Sequence, residues 1–178
     1  MKAYQPDYQR IVAAALNRAG SYPLYEHGVS VDVLEKLLNR DLTSLFNGDE
    51  CDKSEYFRLC SSYLASIGYD VFPFEGCITS IVQHGAGLQG YGKSLIRNRQ
   101  DIESIPWEEL PEKFFRTFTP FYRALAQSLP QGMKAIGGVG NGVFEIVQDF
   151  VPMTDLAYLE MDDPDVFALL WKRVGQTM

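Results

Sequence analysis

The sequence predicts an α/β fold of about three parallel strands with flanking helices, on three observations. Three short apolar runs, at 23–27, 69–75 and 133–139, have the length and the glycine boundaries of strands. Stretches with apolar residues at helical spacing lie between them. Strands separated by long helices read as right-handed βαβ units that share a parallel sheet. With neither an internal repeat nor a low-complexity linker, the chain reads as a single domain over 1–178.

Each element has its own justification. An opening helix over 7–18 ends at Gly20, and the run 23–27 stops at Gly28. Ser30 is placed to cap the next helix, where Val33, Leu34, Leu37 and Leu38 share one face. Asp52 and Glu55 stand at capping-box spacing before a helix with a stripe of Tyr56, Phe57, Cys60, Tyr63, Leu64 and Ile67. The run 69–75 is the second strand, carrying Pro73, which cannot donate to a ladder. From 77 to 99 glycines crowd the chain, 79–83 has extended character, and the segment reads as an excursion of strand and loop. A long helix follows, with Leu110, Phe114, Phe115, Phe118, Phe121, Tyr122, Leu125 and Leu129 on its apolar face. Pro120 inside it predicts a kink or a break. The third strand, 133–139, precedes helices over 143–150, 155–160 and 164–174. Asp163 and Pro164 open the last of these as N-cap and first helical residue.

Composition narrows the function classes. A chain of 178 residues, 46% hydrophobic and 22% charged, can bury a core and is too apolar for disorder. Its net charge of −7 opposes non-specific contact with nucleic-acid phosphates. No stretch approaches the roughly 20 apolar residues of a membrane span, and the polar start lacks the core of a signal peptide. Cys51, Cys60 and Cys77 show no CxxC spacing, which points to a reducing cytoplasm and no zinc site.

Several residues carry candidate chemistry, each against a plainer reading. The segment 87–94 matches GxxxxGK[ST] through Lys93 and Ser94, but no later apolar run ends in the aspartate that would hold magnesium, and a glycine-rich excursion reads the stretch as well. The segment 137–142 lies between a strand and a helix. It fails GxGxxG because Val143 takes the third glycine's place, leaving either a tight turn or a helix N-terminus for an anion. His27 ends the first strand, where an imidazole serves as acid, base or ligand, or simply bonds a loop. His84 has less positional support. Glu75 and Cys77 follow the second strand on one face; Glu75 suits a general acid or a partner for a basic substrate group, and Cys77 is a thiolate nucleophile, a soft metal ligand or a small buried apolar group. Arg97 and Arg99 offer forks for carboxylate or phosphate, or form a solvated pair.

A series of segments resembles the uroporphyrinogen decarboxylase family, which includes the cobalamin-linked methyltransferases acting on coenzyme M. These are Tyr22-Pro-Leu-Tyr-Glu-His27, Ser66-Ile-Gly-Tyr-Asp70, Arg99-Gln-Asp-Ile-Glu-Ser-Ile-Pro-Trp107, Leu129-Pro-Gln-Gly-Met133, Gly142-Val-Phe-Glu145 and Asp163-Pro-Asp-Val-Phe-Ala-Leu-Leu170. The likeness runs in order from about 23 to 174.

The resemblance implies a partial TIM (β/α)8 barrel, because a complete one needs about 250 residues, and a substrate at the C-terminal ends of the strands. It also implies decarboxylation of tetrapyrrole acetate side chains, the lyase chemistry of porphyrin and heme biosynthesis, with no cofactor and no metal. His27, Glu75 and Cys77 are then the catalytic candidates, and Arg97, Arg99, Asn141 and Glu145 the substrate-binding ones. The family's catalytic aspartate falls at Cys77, with Glu75 the nearest carboxylate. Two alternatives stand beside this reading. One is a corrinoid-dependent transfer of a methyl group to a thiol, although the His-x-Cys zinc pair of that branch is not in this sequence. The other is a non-catalytic half-barrel whose open sheet edge is covered by a second copy or a second polypeptide.

Overall fold

The computed structural model describes residues 4–82 and 93–178. Among these residues the protein is mostly helical and has two strands, parallel to one another in a single sheet. The expected partial TIM barrel of three strands is therefore corrected. The helices are α1 (Gln9–Ala15), α2 (Val31–Leu38), α3 (Leu42–Asn47), α4 (Glu50–Ser66), α5 (Arg99–Ser104), α6 (Leu110–Ser128), α7 (Val143–Phe150), α8 (Met153–Asp162) and α9 (Pro164–Thr177). The strands are β1 (Val71–Glu75) and β2 (Lys134–Gly138).

The first strand candidate, 23–27, makes one parallel bridge, Leu24 with Tyr69, and no ladder. Pro23 has no N–H to give, and Leu24 and Tyr25 stay about half exposed, so little burial holds the segment straight. The extended character read at 79–83 is also overturned: Ile78–Ile81 is a 3₁₀ turn, closed by the Ser80 amide and hydroxyl donating to the Cys77 carbonyl at 3.2 and 2.6 Å.

Contacts divide the chain into two compact units. The first comprises Met1–Phe74 with Phe118–Gly137, the second Glu75–Thr117 with Gly138–Met178. In the first, α4 starts at a capping box one turn earlier than the spacing suggests. Asp49 accepts from the amides of Cys51 and Asp52 at 2.7 and 3.0 Å, and Asp52 accepts in return from the Asp49 amide at 3.1 Å. Ser30 precedes α2 but makes no side-chain cap. The core of this unit gathers on Phe57, fully buried, with the rings of Tyr56, Phe72 and Phe74 at 5.1, 5.8 and 5.1 Å. Edge-to-face rings at these separations add about 0.5–1.5 kcal/mol each beyond area burial. Helix α6 runs through Pro120 without the expected break, and Ala124 and Leu125 remain in this core.

The N-terminal segment of the first unit is held by a buried carboxylate. Asp70, fully buried, accepts from the Tyr4 hydroxyl, the Asp7 amide and Arg10 Nη1 at 2.9, 2.7 and 2.7 Å. Partial burial and then the Asp70 hydrogen bond raise the Tyr4 phenol above its ordinary pKa.

In the second unit α7 and α8 pack on α9, whose inward residues Val166, Leu170 and Val174 are buried. Asp163 caps α9 by accepting from the Val166 amide at 3.1 Å. Trp107 closes the core, its indole N–H donating to the Ile102 carbonyl at 2.7 Å and its ring 5.6 Å from that of Phe150. No helix of the described residues is long and apolar enough to cross a membrane.

Candidate functional site

Within the second unit, the turn after β1 meets the turn after β2. The Gly76 amide donates to the Gly138 carbonyl at 3.3 Å, continuing the parallel pairing past the strand ends. Gly140 has φ +77°, and a side chain there would start 2.8 Å from the Gly76 carbonyl oxygen and 3.1 Å from Cys77 Cβ. Only glycine allows this approach, for lack of a Cβ and for its free access to positive φ. Glu75 Oε1 lies beside the same turn, 3.7 Å from where a Cβ of Gly138 would sit. The turn that carries Gly140 thus packs on Cys77, two residues after Glu75, and the half-buried Asn141 follows Gly140 in the chain just before α7 begins.

Glu145 belongs to this turn in another capacity. Its Oε2 accepts from the Gly142 amide at 2.7 Å, so the carboxylate reaches back and satisfies the first turn of α7. That oxygen is engaged, and the negative charge sits at the positive end of the helix, where it competes with an incoming anion.

Arg97 and Arg99 are exposed and lie elsewhere in the second unit. Arg99 is the first residue of α5, which Asn98 caps by accepting from the Asp101 amide at 3.1 Å. The Arg97 amide donates to Asp101 at 2.8 Å. Its residue lines a cleft of about 260 Å³ together with Ser94, Asp155, Tyr158, Asp162 and Asp163. One guanidinium among three aspartates makes a poor receiver for a carboxylate. Ser94 hydrogen-bonds Asp155 there. The rest of the phosphate-loop match, up to Gly92, and His84 lie outside the described residues. His27 is exposed and belongs to the first unit. No group of three or more His, Cys, Asp or Glu side chains among the described residues is arranged to hold a metal ion.

Two features escaped the sequence. One is Gly140, whose role depends on a contact with a turn more than sixty residues earlier. The other is Asp149, 2% exposed on α7, neither of whose carboxylate oxygens has a hydrogen-bond partner among the described residues. Its signal was present in the run Ile146-Val147-Gln148-Asp149-Phe150-Val151, an acid set among residues of a buried helix face.

No protein-family model, curated protein or solved structure matches this chain.

Proposed function

We propose that the chain is a uroporphyrinogen decarboxylase-like protein that receives a carboxylate-bearing tetrapyrrole at the turns following β1 and β2. The observation that supports this reading is the packing of Gly140 on Gly76 and Cys77, which brings the turn that leads into Asn141 against the turn after Glu75, at the carboxyl ends of a parallel strand pair. In α/β proteins ligands bind at that end of the strands. The reaction replaces an acetate carboxylate by hydrogen. A proton added to a pyrrole ring carbon makes the ring a cation; carbon dioxide then leaves, its bonding electron pair neutralises that cation, a proton is added to the side-chain carbon to give a methyl group, and the ring proton is released. Glu75 is the proton donor of this scheme, and the Asn141 amide orients a substrate carboxylate. No cofactor is needed, because the protonated pyrrole ring itself takes up the electron pair.

The test is a parallel titration with uroporphyrin, hydroxocobalamin and ATP, followed by a decarboxylation assay on uroporphyrinogen. The reading expects saturable binding of uroporphyrin, with Glu75→Gln retaining binding and losing carbon dioxide release. Cobalamin binding alone would replace it by corrinoid-dependent methyl transfer to a thiol. ATP binding alone would return the function to the segment 87–94. Arg97→Ala is expected to leave uroporphyrin affinity within about twofold, as for an exposed charge among opposite ones.

A further inference from the structure

Among the described residues none from Tyr4 to Val33 is buried. Helix α1 shares this exposure: Ile11, Ala13 and Ala14 are half-buried, while Val12 and Leu16 are exposed. A helix of seven residues is marginal in water by itself. What holds the segment is a set of polar ties at the amino ends of β1 and β2. Asp70 immediately precedes β1, and its Oδ1 takes all three donors, the Tyr4 hydroxyl, the Asp7 amide and Arg10 Nη1. Its Oδ2 has no partner among the described residues. Arg10 Nη1 also donates to the Tyr4 hydroxyl oxygen at 2.7 Å, and its guanidinium lies 5.3 Å from the centre of that ring. Two residues before β2, the Gly132 carbonyl accepts from the Tyr8 amide at 3.0 Å. Gly132 has φ +85°, and a side chain there would overlap the Pro6 carbonyl oxygen. Lys134, at the start of β2, places Nζ 5.9 Å from the centre of the Tyr8 ring.

We infer that residues 4–16 form a strap that opens and closes on the first unit as one body, with Asp70 as its latch. Opening gives up little apolar contact, so it needs less free energy than unfolding the core around Phe57. It does not proceed piecemeal, because Tyr4, Asp7 and Arg10 meet on one oxygen atom. Losing Arg10 from that set leaves a buried carboxylate without its counter-charge, which opposes partial release. Helix α1 melts with the strap, since so short a helix does not hold by itself. The charge on Asp70, rather than apolar packing, therefore sets the open fraction. The strap sits at the amino ends of the strands and Gly76 and Gly140 at the carboxyl ends, so the inference is independent of any substrate.

The experiment is amide hydrogen exchange of the full chain under native conditions, read by peptide mass. Amides of residues 8–16 are compared with those of α4 around Phe57. In the wild type, residues 8–16 are expected to exchange together, with protection at least about tenfold below that of α4. Asp70→Asn keeps an oxygen for Tyr4 and Asp7 but gives up the charge that holds Arg10. It is expected to speed exchange of residues 8–16 by about tenfold or more, with a smaller change in α4. Arg10→Met alters only a partly exposed side chain of the strap, so the fold is kept and exchange there rises about threefold to tenfold. The double variant is expected to exchange about as fast as Asp70→Asn alone, because the two residues form one latch. Equal protection of residues 8–16 and α4 in the wild type, strap exchange unchanged in both single variants, or additive effects in the double variant each overturns the inference.

Discussion

Gly140→Ala perturbs the candidate site through one atom. The residue sits at φ +77°, where an L side chain costs about 1–2 kcal/mol. The added methyl would lie 2.8 Å from the Gly76 carbonyl oxygen, a backbone atom that cannot swing aside as a side-chain end could. Relieving such an overlap by moving backbone costs about 1–3 kcal/mol more. The expected loss is therefore about 2–5 kcal/mol, read as a fall in urea midpoint at unchanged slope. Gly138→Ala is the control on the same turn. Its φ lies outside the positive range, its nearest neighbour would be Glu75 Oε1 at an ordinary 3.7 Å, and the lost chain entropy of the unfolded state favours alanine by about 0.4–1 kcal/mol. Thiol labelling resolved by peptide mass should also show Cys77, but not the exposed Cys51, changing its reaction rate in Gly140→Ala. Equal stabilities for the two variants, with Cys77 labelling unchanged, would refute the account of how this turn is held.

Three further outcomes follow from the same reasoning. Asp149→Asn replaces a buried carboxylate that has no hydrogen-bond partner among the described residues by a neutral amide of the same shape, so it should raise stability by about 1–3 kcal/mol in urea denaturation, and a lower midpoint would contradict it. Gly175→Ala, in α9 with nothing within 4 Å of the new methyl, should stabilise by about 0.4–1 kcal/mol on the same measurement. Burial pushes the Cys60 thiol up from 9.0 to about 12. The unfolded chain therefore releases this proton first, and stability should fall as pH rises from about 9 toward 12, by at most about 1.4 kcal/mol per unit from this group. In Cys60→Ala that part of the alkaline slope should vanish, as denaturation curves across this pH range would show.

Long periodic elements were legible in the sequence, because a buried stripe repeats within the element itself. That holds for α4, α6, α7 and α9, whose inward faces the spacing of Phe57, Cys60 and Leu64 or of Val166, Leu170 and Val174 announces. The capping box of α4 was read one turn late because Asp49, Asp52 and Glu55 offer the same spacing twice, and only the Asp49 backbone turns out extended, with φ −77° and ψ −169°. Short helices such as α3 and α5, six residues each, span too few turns to show a period. The 23–27 run has the composition of a strand, but pairing requires a neighbour and burial that composition does not encode. At the candidate site, Glu75 and Cys77 were legible because they follow a strand. The capping role of Glu145 was written in its distance of three residues from Gly142. The company of Arg97 was not, because Asp155, Asp162 and Asp163 come to it from some sixty residues further along the chain.

The placement of the tetrapyrrole is tested most directly by protection of Cys77. The folded protein is alkylated with iodoacetamide with and without uroporphyrin, and modification of Cys51 and Cys77 is followed separately by peptide mass. Cys51 is exposed on α4 in the first unit and serves as the internal control, while Cys77 is half-buried beside Glu75 and Gly140. The account predicts that bound uroporphyrin slows modification of Cys77 several-fold and leaves Cys51 unchanged. Equal rates at Cys77 with and without saturating uroporphyrin would contradict it.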